Sequence, residues 1–305
     1  MIINQTYSEG GIELSLVISV ASGSVVTATK GGKSVTGMAV DGVCVLTGPE
    51  AGTWTVSATL GGKTTPAQTV TVRSQWEAAL EYGTPLGELA VGSSVFTNVN
   101  GARTEFLVVQ QGKPSSIYDD SCNGVWLLMK DVYENRAWHS SNVNDYANST
   151  IHSYLNSTFL AMFDSNIQNA IKQIKLPYRA GSGYGKTVTS GASGLQAKIF
   201  LLSSTEVNLV HGYEPTNEGA CLSYFSGTAQ NGSSDTKRVA YLSGSATYWW
   251  LRSPSCNSYD GSRLALLVYS NGGWGRYSCS DSYGIRPALV LPSTLLVSDD
   301  GTISA

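Results

Sequence analysis

Three histidines, His139, His152 and His211, are the chain's candidates for proton transfer near neutral pH. None sits in a motif that such chemistry needs. H-E-x-x-H would put two metal ligands and a base on one helix face, and G-x-S-x-G would raise a serine on a strained turn; neither occurs. Five cysteines, Cys44, Cys122, Cys221, Cys256 and Cys279, are far apart and lack C-x-x-C spacing. A zinc site is therefore not expected, and buried thiols are the default, with a Cys256–Cys279 bridge left open. Asp119-Asp120 and Asp299-Asp300 are adjacent pairs of the kind solvated turns carry, whereas calcium asks for several convergent oxygens. Gly181-x-Gly183-x-Gly185-Lys186 does not have the spacing of a phosphate loop. The expectation is a protein that is not an enzyme and holds no metal and no cofactor.

The residues that do stand out suit contact rather than catalysis. From Ser255 to Tyr283 the chain is dominated by Ser, Tyr, Gly, Asn, Asp, Arg and Cys, with no Lys, Glu, Gln, Met or Thr. Tyrosine offers a large, stiff contact area, and Ser, Gly and Asn offer adaptable hydrogen bonds. A Gly/Ser loop between core strands is the commoner source of such composition. Five aromatic residues within it favour a surface, because exposed aromatics cost solubility. The candidate ligand-binding residues are Asn257, Tyr259, Asp260, Arg263, Tyr269, Asn271, Trp274, Arg276, Tyr277, Ser280, Asp281 and Tyr283. They are expected on one solvent-facing patch. Strand alternation would point Arg263, Leu267 and Tyr269 outward and Leu264, Leu266 and Val268 inward. Two apolar blocks bracket the interval, Tyr248-Trp249-Trp250-Leu251-Arg252-Ser253-Pro254 and Gly284-Ile285-Arg286-Pro287-Ala288-Leu289-Val290-Leu291-Pro292. Both read as rigid frame.

Those two blocks resemble a domain family of gut Firmicutes and their phages, over roughly Leu89 to the end. They also resemble the variable proteins of diversity-generating retroelements, of which the phage tropism determinant is the best-known type. In that family adenines of a template are randomised, so AAC codons become NNC. Such codons give Ser, Tyr, Cys, Asn, Asp, Gly, Arg and Leu but never Lys, Glu, Gln, Met or Trp. The interval fits this vocabulary except at Trp274. The resemblance implies a C-type-lectin-like domain that binds a protein or glycan on a bacterial cell surface, carried on a phage tail or on the cell surface itself. It also implies that the Phe106 strand pairs with the Ala288–Leu291 strand. A fixed-specificity adhesin or tail decoration protein is the alternative. A formylglycine-generating-like enzyme, with Cys256 and Cys279 as its pair, ranks below both. Calcium-dependent sugar lectins of this fold use E-P-N and W-N-D; here Glu214-Pro215-Thr216-Asn217 interrupts the first, and the second is missing.

The elements that must position these residues are mainly β with some α. Residues 1–73 alternate apolar and polar side chains over Ile12–Val20, Val25–Thr29, Val43–Leu46, Trp54–Leu60 and Thr69–Val72, with turns at Gly31-Gly32, Asp41-Gly42 and Gly61-Gly62. That spacing predicts an immunoglobulin-like β-sandwich. The two strands that run into Gly31-Gly32-Lys33 and Gly61-Gly62-Lys63 echo one another, as converging hairpin chemistry does. Residues 74–88 read as a linker with a short helix through Trp76. Residues 89–305 are expected to form the α+β, C-type-lectin-like domain that the resemblance implies. Its strands are expected at Glu105–Val109, Val125–Met129 and Lys198–Leu202. One helix is capped near Ser149 and carries Ile151, Tyr154, Leu155 and Phe159; another is capped at Asp164-Ser165 and carries Ile167, Ala170, Ile171 and Ile174 until Pro177. Gly181–Gly194 and Gly212–Ser245 are long loops able to frame the binding surface or form subunit contacts.

Composition sets the outer bounds. The 305 residues suggest two domains. Charged residues are 13%, against about 25% in typical globular chains, so the surface is largely neutral-polar. A net charge of −3 without a basic stripe argues against nucleic acid. No apolar run nears the roughly 18 residues of a membrane span. Met1-Ile2-Ile3-Asn4-Gln5 does not open a secretory signal. Homo-oligomerisation stays open.

Overall fold

Alternation drives the first unit, Met1–Thr84. Its strands are β1 (Ile2–Tyr7), β2 (Leu14–Ser19), β3 (Val25–Lys30), β4 (Lys33–Met38), β5 (Val43–Thr47), β6 (Gly52–Leu60), β7 (Lys63–Thr64) and β8 (Gln68–Val72). They form two sheets, β1-β2-β5 and β4-β3-β6-β7, with β8 also on β6. Inward side chains of both sheets share one core: Leu16, Ile18, Cys44 and Leu46 from one, and Val26, Ala28, Trp54, Val56 and Ala58 from the other. The echoing strands prove to be neighbours, since β3 pairs with β6 in the register Val26↔Ala58 and Ala28↔Val56. Each runs into a two-glycine turn with both φ angles positive, 54° and 82° at Gly31-Gly32 and 55° and 76° at Gly61-Gly62. Only glycine takes both at little cost, and such turns match strand twist. The chain is seen in a computed structural model, which describes residues 1–7, 14–72, 83–230, 234–259 and 261–305. The expected linker helix around Trp76, and the candidate Asp260, lie outside these residues.

The second unit, Pro85–Ala305, is also mostly β. Past residue 83 come β9 (Thr84–Pro85) and a 3-10 turn over Leu86–Glu88. Then follow β10 (Ser94–Val99), β11 (Ala102–Gln111), β12 (Val125–Met129) and β13 (Glu134–Ala137). Ser149 caps α1 (Thr150–Tyr154), its hydroxyl accepting the His152 N–H at 3.2 Å. A π-turn, Leu155–Phe159, extends α1 and buries Leu155 and Phe159. α2 (Ser165–Ala170) is shorter than its periodicity predicts: Ile171 is already extended, and Ile174 belongs to β14 (Ile174–Leu176). The remaining strands used here are β15 (Leu195–Ala197), β16 (Ile199–Phe200), β17 (Ala240–Leu242), β18 (Ser245–Thr247), β19 (Trp249–Pro254), β20 (Leu264–Val268), β21 (Trp274–Ser278), β22 (Ser282–Ile285) and β23 (Ala288–Leu291).

Two five-stranded sheets organise this unit, β10-β11-β12-β23-β16 and β13-β22-β19-β20-β21. The Phe106 strand, β11, does not touch β23 as expected. β12 lies between them, pairing Phe106↔Met129 on one side and Leu128↔Ala288 on the other. All five β12 side chains are buried, which is what a central strand covered on both faces requires. The second sheet is likewise covered on both faces. Trp250, Ala265, Leu267 and Ile285 enter one core; Trp249, Leu251, Leu266 and Val268 enter the other. The expectation that Leu267 points to solvent is therefore overturned: it is fully buried. The alternation itself holds, but both of its faces are core.

Candidate ligand-binding surface and its buried frame

The frame begins with a charge inside an apolar strand. In β19 every residue from Trp249 to Pro254 is buried, Arg252 included. A buried guanidinium must find a counter-charge and fill its donors. Arg252 does both. Its Nη1 and Nη2 donate to Glu206 Oε2 at 2.5 Å and Oε1 at 2.8 Å, a bidentate pair with both side chains wholly buried. Further bonds reach the carbonyls of Leu201 at 3.1 Å, Pro177 at 3.1 Å and Glu218 at 3.1 Å. Glu206 also accepts the Tyr118 hydroxyl at 2.8 Å and the Ser203 N–H at 2.9 Å. Glu218, fully buried, accepts from the Ser253 hydroxyl, and from the Arg179 N–H at 3.3 Å. Burial pushes the Glu218 carboxyl up to about 7, against the pull of Arg252, the Ser253 hydroxyl and the Arg179 amide. Burial acts to weaken the Arg252 cation, but Glu206 and Glu218 outweigh it and hold its pKa above the usual guanidinium value. Arg and Ser in W-W-L-R-S-P are thus the hub of a polar network. The sequence reading treated the whole block as apolar scaffold. The signal that could have found the hub was a charge flanked by Trp, Leu and Pro.

Two more arginines serve as internal ties. Arg286 donates to the Met129 carbonyl at 2.9 Å and the Lys130 carbonyl at 2.8 Å, and sits 5.0 Å from the Trp249 ring. Burial pulls its pKa down to about 10. Arg238 donates to the Gly272 carbonyl at 2.7 Å and the Ala229 carbonyl at 2.8 Å. Gly272 has φ of 80°, and a Cβ there would lie 1.9 Å from the Asp235 carbonyl oxygen, so the β20–β21 turn needs glycine.

The Gly181–Gly185 loop is folded around a cation. The Arg179 guanidinium donates to the carbonyls of Gly181 and Gly183, and to that of Gly185 at 3.0 Å. A phosphate loop presents N–H groups; this one turns carbonyls inward. Asn144, fully buried, joins it to the bracketed interval. Its Oδ1 accepts the Gly183 N–H at 2.9 Å, and its Nδ2 donates to the carbonyls of Ser255 and Leu264, each at 3.1 Å.

The candidate surface residues separate over the two faces of the β13-β22-β19-β20-β21 sheet. On one face Tyr269, Tyr277 and Tyr283 gather with Tyr248. The Tyr248 ring centroid lies 4.8 Å from that of Tyr269 and 5.7 Å from that of Tyr283, and Tyr277 lies 4.9 Å from Tyr283. All are half-buried. Burial, then the neighbouring Tyr277 and Tyr248, raise the Tyr269 phenol pKa. Gly275 lies beneath: a Cβ there would come within 2.3 Å of the Tyr269 ring. On the other face Trp274 stacks on His211, centroids 3.6 Å apart and planes 3° from parallel, and the Arg276 guanidinium sits 4.3 Å from the Tyr213 ring. Burial lowers the His211 pKa to about 4; Glu214 opposes this, and Arg276 and Lys186 add to it.

The remaining candidates lie at turns. Asn257 Oδ1 accepts the Tyr259 N–H at 2.8 Å, and Asn271 Oδ1 accepts the Gly273 N–H at 3.0 Å. Both amides shape their own turns. Tyr259 is 91% exposed, the most open large hydrophobic side chain of the described residues. Arg263, Ser280 and Asp281 are exposed, and the Ser280 hydroxyl donates to Asn142 at 2.9 Å. The expected single patch is thus corrected. Strand alternation places Ala265, Gly275 and Tyr277 on one face and Leu266, Trp274 and Arg276 on the other. The interval presents a tyrosine face, an aromatic–cation face and exposed turn tips rather than one plane.

The five cysteines are free, and burial drives the Cys256 and Cys279 thiols up to about 12. Low nucleophilicity follows, because the thiolate is the reactive form. Among the described residues, no three His, Cys, Asp or Glu side chains gather as a metal site. His152 is half-buried against the Tyr146 ring, 5.2 Å between centroids, and burial lowers its pKa to about 4. No helix of the described residues is long and apolar enough to cross a membrane.

The chain belongs to the family described as a domain of unknown function, DUF6273, whose model matches residues 123–293. That span runs from β12 through β23 and takes in Arg252, Glu206, Glu218 and both bracketing blocks. No curated protein and no solved structure matches the chain.

Proposed function

We propose that this protein is a non-enzymatic ligand-binding protein. In this reading an immunoglobulin-like module carries a C-type-lectin-like domain, and residues 255–283 form a hypervariable surface resembling the variable proteins of diversity-generating retroelements. Its partner is a protein or glycan on a bacterial cell surface, met from a phage tail or from another cell surface. One observation carries the proposal. Every residue of β19 and β23 is buried, whereas not one described candidate between Asn257 and Tyr283 is. The exposed side chains, Tyr259, Arg263, Asn271, Ser280 and Asp281, can be exchanged at under about 0.5 kcal/mol each, so the frame tolerates variation at those positions. The Tyr248, Tyr269, Tyr277 and Tyr283 group supplies the aromatic anchors on which interfaces depend, at on the order of 2 kcal/mol or more for a hot-spot residue.

Two measurements test it. Cell-binding assays on gut bacterial isolates should show that replacing Tyr269, Tyr277 and Tyr283 by Ala removes most binding while the far-UV spectrum is kept. Sequencing of the encoding locus should find a near-copy of codons 255–283, with adenines at the varied positions, beside a reverse transcriptase. A fixed sequence across isolates, with no such copy, favours the adhesin or tail decoration alternative.

A further inference from the structure

Away from the sheet faces, a cleft of about 430 Å³ opens between two loops of the second unit. We propose that it is a second binding site, for a saccharide carrying an anionic group. This does not rest on variability of residues 255–283.

The lining decides the ligand class. Thr187, Ser190, Thr216 and Asn217 bring hydroxyls and an amide, and Ile117 and Val188 bring aliphatic surface. Among the described residues these four polar side chains are exposed and make no hydrogen bond within the protein, so a ligand can take their donors and acceptors in exchange for water alone. Sugar rings offer the same mixture, hydroxyls around a C–H face. The sole charge in the lining is Lys186. Its ammonium carries three N–H groups, and the Gly212 carbonyl takes one at 2.6 Å. A carboxylate or comparable anion on the ligand would meet the others. No carboxylate lines the cleft, which disfavours a cation, and no ring lines it, which disfavours a flat aromatic ligand. The size is in the range of small-molecule sites, about 300–1,000 Å³.

The walls are held before any ligand arrives. Thr216 N–H donates to the Lys186 carbonyl at 3.1 Å, joining one wall to the other. Tyr178 and Thr189 exchange backbone bonds at 3.0 and 2.8 Å, and Gly191 N–H donates to the Ile117 carbonyl at 3.0 Å. Asn217 holds a left-handed φ of 61°. Below, Arg252 binds the carbonyls of Pro177 and Glu218, the residues at the root of each wall. Arg179 then fixes Gly181–Gly185. Loops of this length and composition would otherwise lose entropy on binding; here that cost is met in folding. The W-W-L-R-S-P block thus supports this cleft as well as the sheet.

The test is an array of immobilised neutral and hexuronic-acid-containing oligosaccharides probed with the full chain, followed by calorimetric titration of the same oligosaccharides free in solution. The expected result is a preference for the acidic sugars. Ser190→Ala with Thr216→Val should weaken that binding at least tenfold, and Lys186→Gln should erase the preference for acid. The triple tyrosine variant should leave it unchanged. Thermal unfolding of each variant checks the fold; if Lys186→Gln is destabilised through its lost Gly212 bond, the hydroxyl pair, which bonds nothing in the protein, still decides. Absence of saccharide binding would overturn the proposal. So would binding indifferent to the cleft variants, binding lost with the tyrosines, or capture of a protein segment with sugars ignored.

Discussion

Glu218 is a fully buried carboxyl with the Arg252 guanidinium in its network and a pKa pushed up to about 7. The folded state therefore holds its proton more tightly than the unfolded chain, where the ordinary value is 4.5. Its contribution to stability is present at low pH and is lost as pH rises from about 4.5 through about 7. Glu218→Gln mimics the protonated form. Relative to the native protein it should be near neutral in stability at pH 5. By pH 8 it should be the more stable, by on the order of 3 kcal/mol. Urea unfolding at both pH values reads this directly, and a pH-independent difference would refute it. His152 and His211 act in the opposite sense below pH 6.5, since burial lowers both to about 4, which is why the comparison must be native against variant. At this scale the sequence was only partly legible. Composition marked Tyr269, Tyr277 and Tyr283 as contact residues, and they do cluster. It could not reveal that Glu206 and Glu218, 46 and 34 residues before Arg252, share its network. Pairings at that distance leave no local pattern.

Among the elements, β21 shows why a pattern of types does not fix a surface. Its composition matches the rest of the interval, but pairing with β20 sends Gly275 and Tyr277 to one side and Trp274, Arg276 and Ser278 to the other. Gly275 is the informative position. The Tyr269 ring lies across it, and an added methyl would have to displace that ring. Gly275→Ala should therefore cost about 1–3 kcal/mol as overpacking and, on the proposed function, should weaken cell binding as Tyr269→Ala should. Unfolding midpoints alongside cell binding check both parts; unchanged binding would show that the Tyr269 ring is not positioned by this glycine. Strands were the most legible elements. Val125–Met129 was foreseen with its bounds, because a five-residue apolar run suits a strand buried on both faces. Lys33–Met38 was missed, its Gly37 and exposed polar residues hiding the alternation. The second helix was overdrawn because Ile171 and Ile174 keep helical spacing while the backbone is already extended at Ile171.

For the whole molecule, the division into Met1–Thr84 and Pro85–Ala305 carries its own prediction. A Pro85–Ala305 fragment should fold alone with a single cooperative transition by near-UV dichroism. The reading from sequence began this domain at Leu89, after a linker over residues 74–88. Leu86 is in fact fully buried in the second unit's core, its N–H bonded to the Leu295 carbonyl at 2.7 Å, and Gly87 N–H is bonded to the Ser293 carbonyl at 2.9 Å. A fragment starting at Leu89 should melt lower than one starting at Pro85; equal melting would show those contacts to be dispensable.

The Arg252 hub has a consequence for the order in which a ribosome can make this protein. The described strands of the first unit's two sheets end at Val72, so that unit can close while the rest is still being synthesised, as domains do N-terminal first. The second cannot. Its guanidinium draws together carbonyls and carboxylates from 34 to 75 residues upstream, so Pro177, Glu206 and Glu218 must wait for residue 252 to emerge from the exit tunnel. Until then two acids destined for a dry interior remain hydrated on a nascent chain. Translation of β19 and the strands that follow it is thus the step that commits the second unit, and a stalled product ending before β19 should be an open, protease-sensitive chain attached to a finished first unit.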